Sequence, residues 1–155
     1  PCKNAEKELS EGGFKAGNFD EYETLRLKLG VPDGSRDMIV DKAILLENGF
    51  VELNGVDWNK GCYMGQELTA RTHYRGLIKK RLLPVEIDGP QPMPGTPVKL
   101  HDKIVGEIRS GNSRYSLALL RLQILDEISQ ELGLEAGETN IYPFIPNWVQ
   151  IKTQE

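Results

Sequence analysis

The stretch with the most chemical content is Lys60-Gly61-Cys62-Tyr63-Met64-Gly65-Gln66-Glu67. Two glycines bracket a cysteine on a tight turn, and the residues that follow, from Gly65 to Gly76, read as a helix. A thiol just ahead of a helix N-terminus sits where free N–H groups and the helix dipole favour the thiolate, the nucleophilic and metal-binding form of cysteine. Lys60, Arg71 and Arg75 add positive field, and Gly61 and Gly65 permit the turn. The same residues also suit a small buried cysteine beside two permissive glycines, with the arginines on a solvated helix face. The sequence leaves both readings open.

Other chemistries find less support. The two imidazoles, His73 and His101, stand at no metal-ligand spacing from Cys62 or from each other. A cysteine–histidine hydrolase would need Cys62 and His73 in contact, yet about three helical turns separate them. No phosphate-cradling glycine loop or dinucleotide fingerprint occurs. The two cysteines, Cys2 and Cys62, are too few for a disulfide scaffold, and a reducing compartment is the expectation. Net charge is −4, which argues against general nucleic-acid binding, but the window from Lys60 to Arg81 carries +5 and the remainder −9. A basic island in an acidic chain points to an anionic ligand or an acidic partner.

These residues need elements to hold them. A helix is expected from the Asp20/Glu23 pair, a capping-box spacing, with Tyr22, Leu25 and Leu29 as its apolar stripe and Gly30 then Pro32 as its stop. From Asp33 to Asp57 the turn signals Asp33-Gly34, Asn48-Gly49 and Asn54-Gly55 separate short apolar runs that suit either strands or packed loop. Strands are predicted at Arg81 to Ile87, Thr96 to Leu100, Ile104 to Ser110 and Tyr115 to Arg121, with a proline-rich turn at 89–95. Leu122, Leu125, Ile128 and Leu132 have helical spacing, and Ile141 to Ile151 is the expected closing strand, confined to an edge or bulge by Pro143 and Pro146. Short strands so spaced make a small barrel or sandwich. At 155 residues, 39% hydrophobic and 27% charged, the chain is an ordinary globular one of one or two domains. No run reaches the length of a membrane span, nothing resembles a signal peptide, and the opening on Pro1 fits a processed product or part of a longer protein.

The string KGCYMGQE resembles the signature of the YgfZ family, folate-binding proteins related to the glycine-cleavage T-protein. The flanks are similar too: YETLRLKLGVPDGSRD, LLENGFVELNGVDW, ELTARTHYRGLIKKRLLPV, and KIVGEIRSG followed by LALLR, so matching pieces run from about Tyr22 to Trp148. The continuation GQELTARTH looks most like the iron–sulfur assembly branch found in mitochondria and related bacteria. The resemblance implies an α+β chain: residues 1–75 as the C-terminal remnant of a T-protein-like (GcvT-like) folate-binding domain, and residues 76–155 as a small antiparallel β-barrel. It implies a folate-dependent factor for assembly or repair of four-iron proteins, with Cys62 as the acting residue and tetrahydrofolate or a derivative as cofactor. Lys60, Gly61, Tyr63, Gly65, Gln66, Glu67, Arg71 and Arg75 would form the binding surround. Partners would be iron–sulfur scaffold or carrier proteins and four-iron client enzymes, with no nucleic acid or membrane, in a bacterial cytoplasm or alternatively a mitochondrial matrix. T-proteins carry a glutamate where Lys28 stands, which predicts weak folate binding by this chain. Two alternatives are an aminomethyltransferase of the glycine-cleavage type, disfavoured because T-proteins place an acid at the position of Cys62, and a non-catalytic docking module for an acidic partner.

Overall fold

A computed structural model describes residues 4–76, 78–125 and 133–151. Six antiparallel strands close into a barrel: β1 (Lys80–Asp88), β2 (Pro97–Leu100), β3 (Lys103–Gly111), β4 (Tyr115–Arg121), β5 (Leu134–Ala136) and β6 (Thr139–Pro143). Their order around the barrel is β1-β4-β3-β2-β5-β6, with β6 returning to β1 through Val85↔Pro143 to Asp88↔Asn140. Closure leaves no free sheet edge. Val85, Val98, Leu100, Val105, Ile108, Ala118, Leu120, Ile124, Leu134, Ala136 and Ile141 form the core. Gly106 lets β3 approach β4, since a Cβ there would lie 2.6 Å from the carbonyl oxygen of Leu119.

The four central strands fall where alternation and turn residues place them. The closing region differs. Strand β6 ends at Pro143 rather than running to Ile151, and the short β5 pairs with it around Gly137, whose φ of 67° is the left-handed conformation glycine tolerates. Three residues are too few to show a period, so β5 has no local signature. Of the helix expected after Leu122, Leu122–Ile124 form a 3-10 turn, and the rest of that expectation lies outside the described residues.

Among the described residues three α-helices precede or join the barrel: α1 (Ala5–Glu11), α2 (Phe19–Leu29) and α3 (Gln66–Tyr74). The start of α2 is set one pair earlier than Asp20/Glu23. Asn18 has extended backbone and accepts from the Glu21 amide at 2.8 Å, while Glu21 accepts from the Asn18 amide at 3.0 Å. Asp20 is already helical, and Glu23 is drawn away by arginines. Gly30, in the left-handed region, ends the helix as expected.

The facing of α2 inverts the periodicity argument. Tyr22, Leu25 and Leu29 are 61%, 57% and 43% exposed, whereas Glu23, Arg26 and Leu27 are buried. Only Leu27 joins an apolar cluster, with Leu82, Tyr115 and Leu117 on the barrel's outer face. Arg26 is the centre of a polar clamp. Its guanidinium donates to both Glu23 oxygens (3.0 and 2.6 Å), to Asp37 (2.9 Å), to the Val31 carbonyl (2.7 Å) and to Ser110 Oγ (2.7 Å). Asp37 also accepts from the amides of Asp33 (2.7 Å) and Ser110 (2.8 Å), so the clamp ties α2 and the following loop to β3. The Arg26 guanidinium, with help from Arg36, overrides the opposing effect of burial and holds the Glu23 carboxyl down to about 2.

Residues 31–57 resolve the open choice between strand and loop in favour of turns, with a 3-10 helix at Leu45–Asn48. The C-terminal segment straps this region down: Trp148 Nε1 donates to the Leu29 carbonyl at 2.7 Å, and the Gln150 amide to Glu52 at 3.3 Å. Among the described residues no helix is long and apolar enough to cross a membrane.

Candidate functional site

Helix α3 packs against the 3-10 segment Leu45–Asn48 and carries the cysteine turn at its N-terminus. Gly65 caps it with φ 85°, a conformation that strains any residue with a side chain. Gly61 has no such backbone, and space around it is open, so only one of the two bracketing glycines is required by the turn. The turn closes on itself: the Tyr63 amide donates to Gln66 Oε1 at 3.1 Å, and the Gln66 amide donates to the Tyr63 carbonyl at 3.3 Å.

Cys62 is a free, exposed thiol on the wall of a pocket of about 210 Å³. The exposure decides against the buried-cysteine reading. Lys60, Gly61, Tyr63 and Gln66 share the lining, and Lys60 Nζ stands 4.6 Å above the Tyr63 ring, within cation–π range. Asp57, Trp58, Ala70 and Tyr74 complete it, and sequence reasoning missed all four. A signal existed for two of them, because Gln66, Ala70 and Tyr74 recur every four residues and so share one helix face. Trp58 had no such marker. It is held by stacking on His73, with centroids 4.0 Å apart and planes 24° apart, which gives His73 a packing role.

Glu67 and Arg71 on α3, and Arg75 at its C-cap, are exposed and do not line the pocket. Among the described residues neither arginine has an ion-pair partner, so both act as long-range charge at most. Arg81 leaves the basic island altogether. Only 5% exposed, it donates to Glu52 at 2.6 Å and to the Leu46 carbonyl at 3.1 Å. Among the described residues no cluster of three or more His, Cys, Asp or Glu could hold a metal ion. Cys62 therefore offers a single soft ligand.

Residues 79–151 match the family profile described as "CAF17, C-terminal beta-barrel domain", the same stretch that closes into six strands. The barrel residues are thus similar to the C-terminal barrel of the CAF17 family. The chain is 37% identical, over 141 residues, to "Iron-sulfur cluster assembly factor IBA57, mitochondrial" of Mus musculus. That match takes in 85% of this chain and 38% of the relative. The Homo sapiens protein of the same name is 36% identical over 141 residues, covering 88% of this chain and 40% of the relative. The homologue of Coccidioides immitis is 32% identical over 182 residues, covering 86% and 43%. The chain thus spans about two fifths of the length of these relatives. Coverage of this kind extends well upstream of the barrel, so the likeness takes in most of residues 4–76 as well as the strands.

Proposed function

We propose that this chain is the part of an iron–sulfur cluster assembly or repair factor that presents a single cysteine to its partners. The observation that carries the reading is the exposed Cys62 thiol, lodged in a shaped pocket on a capped turn in a chain whose relatives are named assembly factors. Iron–sulfur clusters are held by several thiolates, commonly four. One cysteine cannot hold a cluster alone, so Cys62 would act with ligands from a scaffold, carrier or client protein of the four-iron type. The turn keeps the thiol outward, while Lys60 and the exposed Arg71 and Arg75 favour approach of an anionic cluster or acidic partner. The relatives' names support a mitochondrial matrix setting over a bacterial cytoplasm.

Folate belongs to the same proposal. What supports this reading is the chemistry of the pocket lining: Trp58 and Tyr74 are aromatic groups that could pack against a bicyclic heterocycle, Asp57 could accept from its amino and N–H groups, and Lys60 could pair with a glutamyl carboxylate. Bound, a folate would supply one-carbon carrier chemistry. At about 210 Å³ the pocket encloses a ring rather than a whole folate, and Lys28 stands exposed on α2 without lining it. Weak binding follows.

The test is rescue. The open reading frame encoding this chain, with and without Cys62→Ser, is expressed in cells lacking their own factor of this family, and the activity of a four-iron enzyme is measured with protein levels checked by immunoblot. Loss of rescue at equal protein level is expected. Full rescue by the serine variant would show that Cys62 is not the acting residue, and the docking-module alternative would take its place.

A further inference from the structure

A pocket of about 460 Å³ lies at one end of the barrel, and neither the cysteine turn nor its neighbours line it. Its floor is the end of the barrel core: Leu100, Val105 and Ile124, each under 10% exposed. Its rim is polar. Lys103 comes from the start of β3 and Arg121 from the end of β4, strands that neighbour each other in the barrel. Among the described residues neither cation has an ion-pair partner, and Asp102 is the one acid on the rim. The rim also includes His101, held at φ 52° in the two-residue turn between β2 and β3.

We infer that this barrel mouth binds a small amphiphilic carboxylate, with its apolar part on the Leu100, Val105 and Ile124 floor and its carboxylate between Lys103 and Arg121. An apolar floor alone would take neutral ligands. Two cations on adjoining strands, without an ion-pair partner among the described residues, add a reason to prefer a negative end, because an arginine offers a carboxylate two parallel donors and a lysine adds a point charge. The volume lies in the range of small-molecule sites, and barrel mouths are recurrent places for them.

The probe is octanoate, titrated into the ¹⁵N-labelled chain and followed by two-dimensional NMR. Saturable shifts are expected at the amides of Lys103, Ile104, Arg121 and Gln123, with a dissociation constant on the order of 0.1–1 mM. The Lys103→Gln/Arg121→Gln pair, on the exposed rim and so compatible with the fold, should weaken binding at least about fivefold. Lys99→Gln, an exposed cation on β2 outside the pocket, should leave it unchanged. Octanamide, equal in shape and uncharged, should bind at least about fivefold more weakly than octanoate. The inference is overturned by absence of saturable shifts at these amides, by equal binding of octanamide, or by binding that the double variant leaves intact. Shifts confined to Tyr22 and Leu25, on the exposed face of α2, would also overturn it, because the ligand would then be choosing a different surface.

Discussion

Replacing Asp37 by alanine should cost the fold more than any change at an exposed charge. The Asp37 carboxylate is fully buried and serves three donors: Arg26 Nη1 at 2.9 Å and the amides of Asp33 and Ser110 at 2.7 and 2.8 Å. Truncation leaves Arg26 with one carboxylate, Glu23, and strands two backbone N–H groups. Breaking a buried pair by removing one partner costs about 3–5 kcal/mol, and each buried donor left unmade costs about 1–3 kcal/mol. Glu23 and entering water recover part of this, so the expected loss is about 4 kcal/mol. That is a large share of the roughly 5–15 kcal/mol that stabilises a domain, and for a chain of this size it lowers Tm by about 8–16 °C. Urea unfolding followed by circular dichroism should show the midpoint falling with an unchanged slope. Asp37→Asn should fall between the two, because one amide oxygen cannot serve donors on both sides. Arg36→Gln is the control: its side chain is 39% exposed, and its pairs with Glu23 and Asp33 are worth less than about 1 kcal/mol. A loss below about 1 kcal/mol for Asp37→Ala would refute the view that the clamp, rather than apolar burial, fixes α2 on the barrel.

Glu23 gives the clamp a pH signature: its folded-state value is depressed from 4.5 to about 2, so its stabilisation, up to about 3 kcal/mol, is complete above pH 4.5 and disappears between about pH 4.5 and 2. Acid titration of unfolding should therefore be shallower in that window for Glu23→Gln. Gly106→Ala would press a Cβ to 2.6 Å from the Leu119 carbonyl and a Leu120 methyl, and should cost about 1–3 kcal/mol by chemical denaturation. Cys62→Ser, at an exposed position, should change stability by less than about 0.5 kcal/mol while abolishing rescue, which separates function from folding. Calorimetry with tetrahydrofolate should give a dissociation constant no tighter than roughly 0.1 mM, about −5.5 kcal/mol; a low-micromolar value would refute the view that this chain offers a folate only a ring-sized pocket.

The sequence by itself determined what depends on near neighbours. Strands β1 to β4 follow from alternation between turn residues, the end of α2 from Gly30, and the course of α3 from Gly65 onward. The motif around Cys62 was legible because its residues lie within eight positions, and a chain that short brings them together in almost any fold. Tertiary structure decided everything that depends on a distant partner. Tyr22, Leu25 and Leu29 have the spacing of a buried stripe, yet α2 turns Glu23 and Arg26 inward. The reason is that Asp37 and Ser110, far along the chain, supply the acceptors that make a buried guanidinium tolerable. Arg81 counted as part of a basic surface until Glu52 was found beside it. Trp58 became a wall of the cysteine pocket only through its stack on His73, fifteen residues away. Strand β5, three residues long, exists because β2 and β6 present open backbone on both its sides. Periodicity reports which residues share a face; only the partners available in three dimensions decide which face is inside.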